Sequence, residues 1–212
     1  MRRDVSERTV AVLGATGATG RHVVARALET GHHVVALVRR SAALPPADGL
    51  REVVWADVHD LATLTGALRG ADAVISALGG ADKGPTTVCT DAVRSTVSAM
   101  TVAGVGRLVA VSAYGVSETR DRSLYSRAVW LGVRERMRDK EAMEALVVGS
   151  ALDWTLVRPP ALNHAPARSA YRVGEELSIR LWDAIGREDL AHFLVQEADA
   201  ARYLRRFPRI TR

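Results

Sequence analysis

The sequence is poor in the features that mark secreted and membrane proteins. Cys89 is the only cysteine among 212 residues, which excludes an internal disulfide and favours a reducing compartment. No apolar run approaches the roughly 18 residues that a membrane span needs. The first ten residues, MRRDVSERTV, lack the apolar stretch of a signal peptide. We therefore expect a cytoplasmic protein without a membrane partner, folded as a single domain over residues 1–212.

Lysine is almost absent, because Lys83 and Lys140 are the only two among 29 basic residues. The arginines are spread from Arg2 to Arg212 without interleaved aromatic residues, although the net charge is +5. A nucleic-acid site would concentrate basic and stacking residues, so we predict a small-molecule substrate and no nucleic-acid partner. The arginine bias is typical of a high-GC bacterial genome, and a role in bacterial secondary metabolism is the hypothesis that follows. The sequence leaves open whether the protein is a monomer or a homodimer.

Short aliphatic runs alternate with stretches of helical spacing along the chain. Strands are predicted at residues 9–13, 33–38, 52–55, 73–77, 107–111 and 154–157, and helices at 18–30, 61–68, 86–103 and 135–148. Strands that alternate with helices throughout predict a doubly wound α/β fold with a mostly parallel sheet. Ser112–Arg134 and Ala161–Asp183 are longer than a crossover needs, and both leave the carboxyl ends of strands. We predict that these two segments form the walls of a substrate pocket.

Three glycines stand at intervals of three in the stretch LGATGATG, at Gly14, Gly17 and Gly20. The run follows a predicted strand and opens a predicted helix, which is the context of a dinucleotide-binding turn. Glycine lets the backbone approach a pyrophosphate, whose charge faces the N–H groups at the start of the helix. Thr16 and Thr19 can add hydroxyl donors, so we predict a dinucleotide site here.

The end of the second strand predicts which dinucleotide is bound. An acidic residue there would hold the two ribose hydroxyls of NAD, but this chain has Arg39 and Arg40. Guanidinium groups pair with a 2′-phosphate, so the sequence favours NADP(H). Asp57 either accepts a hydrogen bond from adenine or serves as a turn or N-cap residue. Leu78 and Gly79 follow the fourth strand, where the chain can pass close to the cofactor.

Several motifs occur in order along the chain: GATGATG, the arginine pair, WADVHD, DAVISALGG, VSAYG and SALDWTLVRPPALN. Together they resemble the atypical short-chain dehydrogenase/reductases, which bind NAD(P)H on a Rossmann fold. Within them the chain is most similar to the NmrA-like branch that includes biliverdin-IXβ/flavin reductase. The stretch IGREDLAHFLVQE also resembles the closing helix of that family. The likeness covers roughly Thr9 to Arg206.

The resemblance implies a role for individual residues of this sequence. Cofactor contacts are implied for Gly14, Thr16, Gly17, Ala18, Thr19, Arg39, Asp57, Val58, Leu78 and Gly79. It also implies that Ser112 lies beside the nicotinamide, that Pro159 flanks the carboxamide, and that Lys140 reaches the cofactor ribose.

The sequence departs from the family pattern at the proton donor. Ordinary short-chain reductases carry Tyr-x-x-x-Lys, one helical turn apart, but Arg136 stands four residues before Lys140. The histidine that follows the Pro-Pro pair in the biliverdin/flavin branch is replaced by Ala161, with His164 three residues on. The usual donor therefore cannot be assigned from the pattern.

Candidate catalytic residues remain within the predicted pocket segments and on the Lys140 helix. Ser112 can donate its hydroxyl to an acceptor carbonyl, with a turn or capping role as the alternative. Tyr114 is the best available phenol, with packing of the loop as the alternative, and Lys140 completes the catalytic set. Tyr125, Asn163 and His164 are predicted to line the substrate pocket. The pair Glu141/Glu144, three residues apart on a helix, is typical of a solvated face, and no cluster has metal-ligand spacing.

These residues together predict an NADPH-dependent oxidoreductase. Its acceptor would be a flavin, a quinone or a conjugated carbonyl, since such acceptors do not demand a dedicated tyrosine. Two alternatives remain: a non-redox isomerase, cyclase or epimerase on the same fold, and an NADP(H)-sensing regulatory protein.

Overall fold

A six-stranded parallel sheet forms the centre of the protein, with strand order β3-β2-β1-β4-β5-β6. The computed structural model describes residues 8–80, 86–168 and 170–212. Strand order and direction confirm the predicted doubly wound α/β fold. The strands are β1 (Thr9–Leu13), β2 (His33–Val38), β3 (Leu50–Val54), β4 (Ala73–Ser76), β5 (Arg107–Val111) and β6 (Asp153–Val157).

Within the residues that the structure describes there are six α-helices, and they cover both faces of this sheet. They are α1 (Gly20–Glu29), α2 (Leu61–Leu68), α3 (Val88–Ala103), α4 (Leu124–Gly132), α5 (Arg134–Val148) and α6 (Arg187–Ala200). Helices α1 and α6 pack together on one face, while α2, α3 and α5 pack side by side on the other, with α4 packed against α5. Because both faces are covered, the central strands β1 (TVAVL) and β4 (AVIS) are mostly aliphatic.

Strand β1 illustrates how the sheet divides the core. Val10 and Val12 belong to the cluster beneath α1 and α6, whereas Ala11 and Leu13 belong to the cluster beneath α2, α3 and α5. Successive strand residues point to opposite faces, so one aliphatic run fills both layers. Full burial of a Val or Leu side chain contributes about 1.5–3 kcal/mol, which explains how a core with few aromatic residues is stabilised.

The bounds of β1, β2, β5 and α2 are those predicted from the sequence. One prediction was wrong: strands do not alternate with helices throughout. Residues 39–49, all of which the structure describes, connect β2 to β3 without a helix. Pro45 and Pro46 prevent a helix from forming in this connection. Instead, the backbone N–H of Leu44 donates to the Glu52 carboxylate at 2.7 Å, which fixes the loop on β3.

The two long segments contain structure that the sequence did not predict. Ser112–Arg134 includes a short 3₁₀ helix and α4, and Ala161–Asp183 includes two short strands, β7 (Ala161–Asn163) and β8 (Arg172–Gly174). Strand β7 pairs with β9 (Ala184–Gly186), and β8 pairs with β10 (Arg209–Thr211). These strands are only three residues long, too short for a periodic pattern to predict.

A buried carboxylate joins α5 to the start of α3. Asp139 accepts hydrogen bonds from the backbone N–H groups of Cys89 at 3.0 Å and Thr90 at 2.9 Å. The residue at the N-cap position of α3, Thr87, makes no capping bond with its side chain. Asp139 therefore caps α3 from a neighbouring helix, and its negative charge lies at the positive end of the helix dipole.

Replacement of Asp139 by alanine should lower the free energy of unfolding by about 2–3 kcal/mol, because two buried N–H groups lose their acceptor. Urea denaturation followed by circular dichroism measures this change. The matched control is Asp153→Ala, since the Asp153 side chain is 61% exposed and lies 4.0 Å from Arg205. The control should lower the free energy of unfolding by less than about 0.5 kcal/mol. Equal small effects in both variants would contradict the capping role.

Candidate functional site

The glycine turn between β1 and α1 brings two backbone segments into contact. Gly14 has a positive φ of 73°, and a Cβ atom there would lie 3.1 Å from the carbonyl of Ala77. A Cβ on Gly20 would lie 2.0 Å from the carbonyl oxygen of Gly14. The Gly17 N–H donates to that same oxygen at 2.9 Å. The turn therefore requires glycine for its own geometry, at the point where strand order reverses between β1 and β4.

A cavity of about 410 Å³ opens above this turn. Its walls come from the glycine turn, from the ends of β2, β3 and β4, and from α3. The lining residues are Gly14, Thr16, Gly17, Leu37, Val38, Arg39, Trp55, Ala56, Val58, Ala77, Leu78, Gly79, Gly80, Val88 and Ala92. Among the predicted cofactor residues, Gly14, Thr16, Gly17, Arg39, Val58, Leu78 and Gly79 are brought together here. Trp55 was not predicted, although its place after an aliphatic strand could have indicated it.

A second cavity, of about 460 Å³, adjoins the first and shares Thr16 and Arg39 with it. Arg21 and Arg40 also line it. The Nε atom of Arg21 donates to the Thr16 carbonyl at 3.0 Å, which holds this guanidinium against the glycine turn. Three arginines thus surround the space beyond the end of β2, and Arg21 is the one that the sequence analysis missed.

Other predicted cofactor residues are not among those that line the first cavity. Asp57 accepts a hydrogen bond from the backbone N–H of His59 at 2.9 Å, so the turn role left open by the sequence is present. Thr19 is buried at the N-cap position of α1 without a side-chain capping bond, and Ala18 beside it is exposed. A contact between Asp57 and adenine stays a prediction.

Lys140 bridges the carboxyl ends of β4 and β5. Its Nζ atom donates to the carbonyl of Leu78 at 2.8 Å and to that of Val111 at 2.6 Å, and lies 3.9 Å from the Met143 sulfur. All three ammonium hydrogens have partners within the chain. A contact with a cofactor ribose stays a prediction and would require one of these partners to be exchanged.

The residue at the missing tyrosine position lies near the same edge. A Cβ on Gly80 would lie 2.9 Å from Cγ of Arg136, so this side chain lies over the end of the cavity wall. The one-turn spacing to Lys140 thus brings the aliphatic part of an arginine side chain, rather than a phenol, against Gly80 in the cavity wall.

A buried carboxylate that the sequence analysis missed lies beside Ser112. Glu144 is 2% exposed, so the expectation of a solvated Glu141/Glu144 face was wrong for this residue. The Ser112 hydroxyl donates to Glu144 Oε1 at 2.6 Å. Arg158, at the end of β6, donates to both carboxylate oxygens at 2.9 and 2.7 Å and also pairs with Glu118. An arginine directly after the buried run WTLV was the signal that a buried acidic partner existed.

Hydrogen bonds shift the pKa of Arg158 and of Glu118 toward the charged form. Burial acts to lower the pKa of Arg158, but hydrogen bonds to Glu144 and Glu118 outweigh it, and the pKa lies above its usual value. Burial acts to raise the pKa of Glu118, but Arg158 holds it below its usual value. Ser112 therefore faces a charged ion pair on one side.

Two predicted pocket tyrosines contact each other where the two long segments meet. The rings of Tyr114 and Tyr125 lie 5.5 Å apart in an edge-on arrangement and pack against Ile179. The Tyr114 hydroxyl lies 3.4 Å from the Asp121 carboxylate. Burial is the main cause that raises the pKa of Tyr114, and burial raises the pKa of Tyr125 to about 12. Both phenols are therefore neutral at physiological pH.

The remaining predicted residues lie near the start of β7. Pro159 is buried, and its carbonyl accepts a hydrogen bond from the Tyr114 N–H at 2.8 Å. Asn163 and His164 are exposed, and the Asn163 side chain accepts from the N–H of Ala165 at 3.1 Å. Their roles toward a substrate stay predictions.

Across the described ranges 8–80, 86–168 and 170–212, no group of three His, Cys, Asp or Glu side chains is arranged to hold a metal ion. Over the same ranges, no helix is long and apolar enough to cross a membrane.

The glycine turn, the sheet order and the adjoining cavities define a dinucleotide-binding protein of the Rossmann type. A family model described as NAD(P)H-binding matches residues 14–201, and the chain belongs to that family. The ligand of this family is a nicotinamide dinucleotide, NADH or NADPH.

Curated relatives match only parts of their own length. An isoflavone reductase homologue from Zea mays is 42% identical over 79 residues, which is 33% of this chain and 26% of the relative. An uncharacterised protein of Mycobacterium tuberculosis is 29% identical over 164 residues, 77% of this chain and 18% of its own length. The chain therefore spans about a quarter or less of these relatives.

Solved structures share the fold across nearly the whole chain. A short-chain dehydrogenase/reductase from Veillonella parvula in complex with NADP has a TM-score of 0.81 at 16% identity and covers 97% of this chain and 94% of its own. ChuY, an anaerobillin reductase from Escherichia coli O157:H7, has a TM-score of 0.79 at 22% identity, with 95% and 96% covered. At these identities the likeness shows the fold alone.

The contact between Gly20 and Gly14 generates a test of the site. Gly20→Ala should weaken nicotinamide dinucleotide binding at least about tenfold, because the backbone of the turn must open to admit the methyl group. Fluorescence titration with NADPH measures the dissociation constant.

Gly66→Ala is the matched control, since a Cβ at Gly66 in α2 meets nothing within 4 Å. This control should leave binding unchanged and stabilise the fold by about 0.5–1 kcal/mol. Unchanged affinity in Gly20→Ala would mean that the turn does not need its observed geometry for binding.

Proposed function

We propose that the protein is an NADPH-dependent oxidoreductase that reduces a small organic acceptor. The observation that carries the cofactor choice is the second cavity beyond β2. Of the seven described residues that line it, three are arginines and none is acidic. A doubly charged 2′-phosphate would be stabilised there by charge-assisted hydrogen bonds, whereas the ribose hydroxyls of NADH would gain little.

Different residues of this chain would bind different parts of the cofactor. The N–H groups at the start of α1 face the pyrophosphate, and Gly14 and Gly17 allow it to come close. Arg39 and Arg40 hold the 2′-phosphate, and Leu78 and Gly79 cover the ribose beside α3. When bound, the dinucleotide supplies a hydride, and the protein contributes orientation and electrostatics.

On the acceptor side, Tyr114 and Tyr125 form an edge-on pair that is buried between the two long segments. We infer that a planar, electron-poor acceptor packs beside this pair. Tyr114 retains its phenolic proton because burial raises its pKa. Since Arg136 replaces the usual tyrosine, we assign Tyr114 as the proton donor for carbonyl acceptors. Flavins and quinones can draw their proton from water, so they need no such donor.

A reaction without net redox change is the second candidate. Arg136 at the tyrosine position favours it, because a guanidinium group stabilises negative charge but does not give up a proton at neutral pH. An isomerase, cyclase or epimerase would leave the product mass equal to the substrate mass, whereas a reductase adds two hydrogens. An NADP(H)-sensing regulator would bind cofactor tightly and turn over no acceptor.

The cofactor assignment predicts a selective loss in the double variant Arg39→Ala/Arg40→Ala. Affinity for NADPH should fall about 10- to 100-fold, because charged hydrogen bonds contribute about 1.5–3 kcal/mol. Affinity for NADH should change by less than about threefold, since NADH has no 2′-phosphate. Isothermal titration calorimetry with both dinucleotides measures the two dissociation constants.

The control is Arg94→Ala/Arg138→Ala, which removes the same charge from two surface pairs on α3 and α5. It should leave both affinities within about twofold of the wild-type values. Equal losses for NADPH and NADH in Arg39→Ala/Arg40→Ala would rule out the 2′-phosphate role.

The acceptor assignment is tested by NADPH oxidation against flavins, quinones and conjugated ketones. The wild-type protein should turn over at least one of these classes. Tyr114→Phe should lower ketone reduction about 100-fold, the usual contribution of a general acid, and change flavin or quinone reduction by less than about threefold. Tyr203→Phe, remote from the proposed site, is the control. If the protein binds NADPH but reduces none of these acceptors, the isomerase or the regulator is favoured.

A further inference from the structure

Glu144 is a buried carboxylate with four donors around it. Its Oε1 atom accepts from the Ser112 hydroxyl at 2.6 Å and from Arg158 Nε at 2.9 Å. Its Oε2 atom accepts from the Ser117 hydroxyl and from Arg158 Nη2, each at 2.7 Å. Four hydrogen bonds fill the acceptor sites of an ionised carboxylate.

The ion pair determines which way the serine hydroxyls point. Arg158 is 1% exposed and always charged, and its guanidinium group forms a forked ion pair with the Glu144 carboxylate. An ionised carboxylate has no hydrogen to give, and it can only accept. The hydroxyl hydrogens of Ser112 and Ser117 are therefore both directed at Glu144.

Ser112 can then offer only lone pairs to any ligand. A hydroxyl has one hydrogen and two acceptor positions, and the hydrogen is already used. This reverses the sequence-based expectation that Ser112 donates to an acceptor carbonyl. A ligand atom that contacts Ser112 must itself carry a hydrogen.

The place of Ser112 indicates which ligand group is in reach. Ser112 directly follows Val111, whose carbonyl is joined through Lys140 to the carbonyl of Leu78 in the wall of the cofactor cavity. Ligands of open α/β sheets lie along the carboxyl ends of the strands. A dinucleotide whose adenosine end lies beyond β2 extends past β4 toward β5, so its nicotinamide end comes to Ser112.

We propose that Ser112 accepts a hydrogen bond from the carboxamide –NH₂ of the nicotinamide, and that Glu144 and Arg158 are positioning residues that hold Ser112 in this acceptor state. The proposal rests on the proposed cofactor-binding function. Its consequence is chemical selectivity: the site recognises an amide on the ring and discriminates against a group that keeps the carbonyl but lacks N–H.

The test compares two oxidised dinucleotides by calorimetry, without any acceptor substrate. NADP⁺ carries the amide, and its 3-acetylpyridine analogue carries a methyl ketone in the same place. The wild-type protein should prefer NADP⁺ about tenfold, the cost of a missing hydrogen bond in a partly buried site. The ratio of the two dissociation constants, analogue over NADP⁺, measures this preference. Ser112→Ala should reduce the ratio to about one or two.

Ser117→Ala is the matched control, because it removes the other hydroxyl from the same carboxylate and leaves Ser112 oriented. Its ratio should equal the wild-type ratio. Glu144→Gln should lower the ratio, since an amide can donate to Ser112 and release its hydrogen. Adenosine 2′,5′-bisphosphate, which lacks the nicotinamide, should bind all four proteins equally and so reports on folding of the site.

Each outcome decides the proposal. A wild-type ratio near one, or an unchanged ratio in Ser112→Ala, would overturn it. Equal reductions of the ratio in Ser112→Ala and Ser117→Ala would also overturn it. Such a result would mean that the hydrogen bonds to Glu144 stabilise the fold without orienting Ser112 toward the ligand. Failure of the wild-type protein to bind the bisphosphate would instead refute the proposed NADP(H) function, and the inference would fall with it.

Discussion

The buried ion pair between Glu144 and Arg158 is the interaction on which the carboxyl edge of the sheet depends. It joins α5 to the end of β6, and through Ser112 it also fixes the end of β5. Removal of one partner would leave a charge in the interior, at a cost of about 3–5 kcal/mol. The pair also holds the turn at Ser117 and Glu118, so one contact orders both the strand ends and the first long segment.

The two ends of the proposed site are built by different means. The adenosine end is formed by backbone, since Gly14 and Gly20 leave no room for side chains, and by arginines that face solvent. The other end is formed by buried side chains whose hydrogen bonds are satisfied within the protein. Ser112, Glu144 and Arg158 are held in one orientation before a ligand binds, which is where orientation for a reaction is gained.

Local features of the sequence predicted most of the fold and the adenosine end of the site. Strand β1, the glycine turn and the arginine pair after β2 are each contained in a short stretch, so their meaning does not depend on distant residues. Glu144 was mistaken for a solvated residue because its spacing from Glu141 is that of an exposed face. Its burial depends on Ser112 and Arg158, which are 32 and 14 residues away along the chain, and no local pattern expresses such a contact.

Anchoring of the first long segment has an evolutionary consequence. The segment is fixed to the sheet near Ser117 and Glu118, while α4 beyond it presents Leu124 and Leu131 to solvent. Substitutions in α4 can therefore accumulate without disturbing the glycine turn or the arginines. The segment that we propose to face a substrate can therefore diverge while the glycine turn is retained, so local change on one scaffold could alter its ligands.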